Sequence, residues 1–181
     1  MFIDPSGHGI ITSIIIGGFI AVAMSYGEDL YEEIESDGFQ RKDLWTPFAE
    51  NWKEYTVDFL EGAVIAAAFY SGLGLNGESI KCAVDLGQKI SYTFFVSSTA
   101  GFGIYTLETL GFGNGKFNFN EMLDYGFGLG FESLKNYAVG GIVGNLGLAP
   151  KKRSSIKDLV NITVVKNLFL LPIELIEDAA Q

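Results

Sequence analysis

Residues Gly9 to Gly27, GIITSIIIGGFIAVAMSYG, form an apolar stretch without charge, and the rest of the chain is expected to pack against it. The uncharged run extends back to Pro5 and contains 23 residues between Asp4 and Glu28. A helix needs about 20 apolar residues to cross a bilayer. Gly17, Ala21 and Ser25 recur at every fourth position, with Gly18 beside them, so one helix face allows close approach by another helix.

Composition supports close helix packing along the whole chain. The 181 residues include 23 glycines, nearly twice the average share of about 7%. Only 19% of the residues are charged. Glycine inside an apolar helix costs roughly 1 kcal/mol relative to alanine, so its repeated use there needs a packing reason. Interfaces between helices, in membranes above all, provide that reason.

Charge and cysteine content exclude several classes of protein. The net charge of −10 argues against nucleic acid as a partner, because phosphate binding requires clustered Lys and Arg. The only cysteine, Cys82, excludes an intramolecular disulfide and a cysteine-based metal site. No basic segment precedes the first apolar stretch, so a secretory signal peptide is not predicted.

Three further Gly/Ala-rich segments follow and predict an all-α fold of about five helices in a compact bundle. The predicted boundaries are a first helix to Ser36, a second over Thr46–Ser71 with Thr46 as its N-cap, a third over Ser79–Leu110, a fourth from Asn118 or Asn120 to Leu148, and a last one from Ser154 or Ser155 to Pro172. Turn-forming glycines at Gly72–Gly77 and Gly111–Gly115 separate them. Residues 1–9, 10–150 and 151–181 are accordingly predicted as a junction turn, a helical domain, and a basic linker with a C-terminal helix.

Small residues at every fourth position recur in the later helices and predict the contact faces. The residues predicted to pack helices together or to support membrane insertion are Gly17, Gly18, Ala21, Ser25, Ala63, Ala67, Gly126, Gly130, Gly140 and Gly144.

Two segments, Ile10–Tyr26 and Ile90–Leu107, are predicted as candidate membrane spans. Acidic residues border or interrupt the other segments, and a charge at the bilayer centre is costly. If these segments insert, the basic residues Lys89 and Lys151–Arg153 would favour the cytoplasmic side of the membrane. A soluble bundle with close crossings is the alternative interpretation of the same pattern, and a third is a bundle held in a protective shell that inserts when released.

The N-terminus carries a short motif, Asp4-Pro5-Ser6-Gly7-His8, preceded by an apolar residue. This motif resembles the end of the conserved core of bacterial RHS/YD-repeat polymorphic toxins, after which the variable C-terminal region begins. The resemblance covers about eight residues. It implies a secreted effector in bacterial competition, with a cognate immunity protein and the RHS shell as partners.

Catalytic and metal-binding motifs are weak. His8 is the only histidine, and pairing it with Cys82 requires a fold that spacing does not predict. Gly72–Gly77 formally matches G-x-G-x-x-G but follows an alanine-rich helical run, which predicts a helix end rather than a dinucleotide site. The carboxylates between Glu28 and Asp37 are predicted as a solvated helix face. Neither a metal nor a cofactor is expected.

These observations predict a non-enzymatic, membrane-inserting region of an RHS-type toxin that forms a pore or assists translocation. Membrane lipid is the expected partner, and a homo-oligomer is allowed. Two alternatives stay open: a soluble helical module that binds a partner, and an enzymatic toxin with a carboxylate-based active site. The candidates for the latter are Lys116, Glu121, Asp124, Tyr125 and Glu132.

Overall fold

The computed structural model describes residues 8–37, 44–73, 83–113 and 115–146, which form helices and short turns without any strand. The predicted all-α class is therefore confirmed. The helices are α1 (His8–Asp37), α2 (Thr46–Glu50), α3 (Trp52–Leu73), α4 (Ala83–Thr106), a π-helical turn (Leu107–Gly111) and α5 (Phe119–Asn145). The predicted helix after Ser154 and the Lys151–Arg153 cluster lie outside the described residues.

Several predicted boundaries agree with the structure. Asn118 caps α5, because its side-chain oxygen accepts a hydrogen bond from the backbone N–H of Asn120 at 3.0 Å. Gly113 and Gly115, with φ of 73° and 92°, form the turn between α4 and α5. A left-handed backbone is accessible to glycine without strain, so the sequence Gly111–Gly115 ends one helix and allows the next to reverse direction.

The start of the second predicted helix is wrong in two respects. Thr46 is not its N-cap: Trp45 occupies that position without a side-chain hydrogen bond, and Thr46 is the first helical residue. The chain also bends at Asn51, where φ is −104° and ψ is 16°, so that α2 and α3 replace one continuous helix. The bend brings the Asn51 side-chain amide within 2.8 Å of the Asp29 carboxylate on α1.

Two other boundaries shift. Helix α1 begins at His8, inside the predicted junction turn of residues 1–9. The third helix ends as a π-helical turn, in which the Phe112 N–H donates to the Leu107 carbonyl at 2.9 Å, five residues back. Helix α3 ends at Leu73, and the rest of the predicted break at Gly72–Gly77 lies outside the described residues.

Helices α3 and α5 lie at the centre, α1 packs on the outer side of α3, and α4 packs on α5. Helix α1 runs antiparallel to α3, because Asp29 near its end contacts Tyr55 near the start of α3. Helix α5 runs parallel to α3 and antiparallel to α4. The bundle therefore has an acidic end, formed by the end of α1 and the starts of α3 and α5, and an opposite end at which α3 and α5 terminate.

Two small apolar clusters form the core. Phe69, Leu73, Val139 and Val143 join α3 to α5 near the opposite end. Val57, Ile104 and Leu129 join α3, α4 and α5 nearer the acidic end.

Candidate membrane-facing surface

The contact between α1 and α3 depends on small residues from both helices. A Cβ atom added to Gly62 of α3 would lie 2.6 Å from the Ala21 Cβ and 2.7 Å from the Gly17 carbonyl oxygen. The neighbouring Gly18 packs against the Phe59 ring, which a Cβ would approach to 2.6 Å. Real Cβ contacts are longer than these distances, so the helix backbones approach closely only because these side chains are absent or small.

Helix α5 presents glycines to both of its neighbours. Gly140 and Gly144 face α3, where a Cβ on Gly144 would lie 2.5 Å from the Leu73 carbonyl oxygen. Gly126 and Gly130 face α4, and the atoms closest to them belong to Phe102 and Ser98. The structure therefore places all four predicted α5 glycines between helices.

The remaining predicted contact residues have different roles. Ala63 is buried, whereas Ala67 is half-buried and lines a groove between α3 and α4. The Ser25 hydroxyl donates to the Ala21 carbonyl of its own helix at 3.3 Å. Membrane insertion by any of these residues stays a prediction.

Three further glycines, Gly62, Gly72 and Gly101, make contacts that the sequence pattern did not single out. A Cβ on Gly101 would lie 2.8 Å from the Gly126 Cα, and Gly72 packs against the Tyr137 carbonyl. The predicted face on α3 was the neighbouring series Ala63, Ala67 and Ser71, although each of these glycines has a small residue four positions away, namely Ala66, Ala68 and Ser97. The cost of a glycine within a helix, about 1 kcal/mol, also indicated close packing.

The interior of the bundle contains small polar side chains. Ser133 and Asn136 are completely buried, and Ser98 is 2% exposed. The Asn136 amide donates to the Glu132 carbonyl and carboxylate, both at 2.9 Å. Among the residues that the structure describes, none forms a hydrogen bond with the hydroxyl of Ser98 or Ser133. A soluble protein normally fills such positions with aliphatic side chains.

Large apolar side chains lie on the outside. On α1, Ile11, Ile15 and Phe19 repeat at every fourth position and are 44–63% exposed. On α4 and α5, Phe95 and Phe131 are 65% and 60% exposed. Polar side chains are thus buried beside the two apolar clusters while large apolar side chains are exposed, and large exposed apolar patches mark sites that contact a membrane or another protein.

Among the described helices, two are long and apolar enough to cross a membrane: Ile14–Glu35 in α1 and Trp52–Leu73, which is α3. The first overlaps the predicted span Ile10–Tyr26. The second predicted span, Ile90–Leu107, is not among them, because the hydroxyl groups of its serines, threonines and tyrosines lower its mean hydropathy. Only 6% of the α1 segment is buried within the bundle, compared with 33% of α3.

Toward the acidic end of the bundle, tyrosine hydroxyls donate hydrogen bonds to carboxylates. Tyr55 donates to Asp29 at 2.6 Å, and Tyr105 donates to Glu121 at 3.0 Å. Tyr125 of α5 donates to Glu61 of α3 and so joins the two central helices. Asp29 therefore belongs to a contact between helices and is not simply part of a solvated face.

Burial raises the pKa of Tyr125 above its ordinary range, and the hydrogen bond to Glu61 raises it further. The hydroxyl therefore keeps its proton at all physiological pH values and remains a donor to Glu61.

Removing the Tyr125 hydroxyl is expected to destabilise the bundle by about 1–3 kcal/mol, because the Glu61 carboxylate loses its partner in a partly buried site. In a Glu61→Gln background the same Tyr125→Phe change should cost less, and a double-mutant cycle by thermal unfolding measures the difference. Tyr92→Phe, at a residue that is 72% exposed, is the control. Additive effects of the two substitutions would contradict the pairing.

The residues named for a carboxylate-based active site do not converge. Glu121 accepts hydrogen bonds from Tyr105 and Asn118, whereas Glu132 pairs with Lys135 at 3.3 Å. Lys116 and Asp124 are exposed, and none of the five candidates lines the groove between α3 and α4. The side chains of His8 and Cys82 lie outside the described part of the structure.

Within the described residues, no three His, Cys, Asp or Glu side chains are grouped as metal ligands.

Comparison with protein-family models, curated proteins and solved structures gave no significant match. The case for function therefore depends on the chain's own surface, interior and charge distribution.

Proposed function

We propose that this chain is a non-enzymatic, membrane-inserting region of a toxin effector, with α1 and α3 as its membrane-spanning helices. The main support for the proposal is the set of exposed aromatic and aliphatic side chains, together with an interior in which glycines and small polar residues lie beside the apolar clusters. In a membrane the exposed residues would contact lipid tails. Small residues at the crossings would then hold the helices together by close packing and not by the hydrophobic effect.

Charge is unevenly distributed between the two ends of the bundle. The acidic end carries Glu28, Asp29, Glu50, Glu54 and Glu121 together with Lys53 and Lys116, whereas Lys89 lies near the opposite end on α4. Lysines therefore lie near both ends. Lys151–Arg153 follow α5 in the sequence, and this basic cluster would favour the cytoplasmic side for the residues after α5.

Assignment to the RHS-type toxins rests on the N-terminal resemblance of Asp4–His8. In such a system the chain would be secreted as part of an effector, would be kept from the producing cell's membranes by the shell, and would be neutralised by an immunity protein. Its mechanism would be permeabilisation of the target membrane or help to a toxin that crosses it.

The proposal is tested by adding the purified chain to vesicles of phosphatidylethanolamine and phosphatidylglycerol that contain a self-quenched dye. We expect the chain to float with the vesicles and to release dye in proportion to its concentration. Flotation of the chain without dye release would favour assistance to translocation over pore formation. A chain that remains in the aqueous fraction and releases no dye would contradict insertion and favour the soluble partner-binding module.

A further inference from the structure

Helix α3 carries a carboxylate near the middle of its candidate membrane span. Glu61 lies close to the midpoint of the 22-residue segment Trp52–Leu73, and Asp58 precedes it by about one helical turn. A charged carboxylate at the centre of a span lowers the equilibrium constant for insertion by roughly a hundredfold. The protonated carboxyl group has no charge and avoids most of this cost. The protonation state of Glu61 therefore affects whether α3 can cross a membrane.

The bundle, in contrast, stabilises the ionised form of Glu61. The Glu61 carboxylate is half-buried and accepts a hydrogen bond from the Tyr125 hydroxyl of α5. A hydrogen bond to an ionised acceptor is about twice as strong as one between neutral groups. Besides burial and the interaction with Glu61, the charges of Glu108 and Asp58 raise the pKa of Tyr125, so both carboxylates act on this pair of residues. The Tyr125 hydroxyl keeps its proton and remains the donor.

Within the described residues, no cation balances the charges around this hydrogen bond. Asp58, Glu61 and Glu108 take part in no ion pair there, and no group donates a hydrogen bond to the buried Oδ2 atom of Asp58. The Lys53 ammonium group donates instead to the backbone carbonyl that follows the π-helical turn, at 2.8 Å. Helix α1 adds no charge at this level, because it packs against Gly62 with its uncharged stretch. A proton is therefore the cation that can neutralise this site.

We propose that Glu61 is a pH sensor, whose uptake of a proton weakens the contact of α3 with Tyr125 and allows α3 to enter a membrane. The inference rests on the proposed membrane insertion and adds its regulation. Because the inserted state binds one proton more than the bundle, the equilibrium constant for insertion should increase by about tenfold for each unit by which the pH falls. At neutral pH the proton is scarcer, so insertion proceeds to a smaller extent.

Flotation of the full chain with phosphatidylcholine vesicles tests this inference between about pH 7.5 and about pH 4.5. These vesicles have no net charge in this range, so attraction between the vesicle surface and the charge of the whole protein does not contribute. We expect the floated fraction to rise at least fivefold at the lower pH. Glu61→Gln, which is neutral at both pH values, should float at the higher pH as the parent chain does at the lower one. Glu61→Asp should keep the pH dependence of the parent chain.

Glu121→Gln is the matched control for the loss of one carboxylate. Glu121 also accepts a hydrogen bond from a tyrosine, Tyr105, but it lies on α5, outside both candidate spans. This substitution removes the same charge and should leave the pH dependence of flotation unchanged. If Glu61→Gln kept the pH dependence of the parent chain, with its circular dichroism unaltered, the role of Glu61 as the sensor would be overturned.

The parent chain itself separates this inference from the proposal of membrane insertion. Equal flotation at both pH values would overturn the pH sensor and leave membrane insertion standing. A parent chain that stays in the aqueous fraction at both pH values would contradict membrane insertion, and the pH sensor with it.

Discussion

Gly140→Leu is expected to lower the stability of the bundle by about 3 kcal/mol and to abolish dye release from vesicles. The new side chain would enter the contact between α5 and α3 at the Phe69 carbonyl and Leu73 amide. These obstructing atoms belong to the backbone of a central helix, so they cannot move aside by a change of rotamer. Overpacking of this kind costs typically 1–3 kcal/mol, and a contact between backbones belongs at the upper end. Thermal unfolding in detergent, followed by circular dichroism, measures the loss.

The same helix supplies a matched control. Gly128 is exposed, and a Cβ built on it meets no atom of the described part of the chain within 4 Å. Gly128→Leu should therefore keep or slightly raise stability, since leucine is the better helix former. The stability of the Gly130→Leu variant should lie between those of the other two variants. Gly130 faces the Ser98 hydroxyl and the Phe94 ring, and both of these side chains can rearrange. Equal stability of Gly140→Leu and Gly128→Leu would contradict the close crossing of α3 and α5.

Phe19→Lys is expected to reduce the membrane-inserted fraction at least tenfold without unfolding the bundle. Phe19 is 63% exposed on the outer face of α1, close to the middle of the uncharged stretch. A lysine near the centre of a span costs about 2.5–3.5 kcal/mol of insertion free energy. In a soluble module the same change would place a lysine on a water-exposed surface, with little effect or a gain in solubility. Flotation with vesicles distinguishes the two outcomes, and circular dichroism checks the fold.

Tyr31→Lys is the control for this substitution. Tyr31 is 67% exposed on the same helix, but it lies beyond Glu28 in the last turns of Ile14–Glu35, where a lysine side chain reaches the interface at little cost. It should leave flotation unchanged. Comparable flotation of Phe19→Lys and the unaltered chain would show that the outer face of α1 does not contact lipid.

Much of the fold could be predicted from the sequence, because it depends on local chemistry. Uncharged Gly/Ala-rich stretches predicted helices, Asn118 predicted an N-cap, and Gly113 and Gly115 predicted a turn. The break at Asn51 was missed because the apolar pattern continues through it. A hydrogen bond to Asp29, 22 residues away, accompanies the bend. Such a contact leaves no periodic trace in the sequence.

The site was predicted less completely. Spacing by four identified Gly126, Gly130, Gly140 and Gly144 as contact residues, but it could not tell that the first pair faces α4 and the second α3. The Tyr125–Glu61 hydrogen bond joins residues 64 apart. The groove requires the relative placement of three helices, which no single segment encodes.

Fractionation of cells that express the chain tests whether it inserts into a membrane. Membranes are washed with alkaline carbonate, which removes peripheral proteins, while the membrane potential is recorded with a voltage-sensitive dye. We expect the chain to remain in the washed membranes and the potential to fall as it accumulates. Recovery of the chain in the soluble fraction, with the potential unchanged, would contradict it. The exposed apolar surface would then have to bind a protein partner.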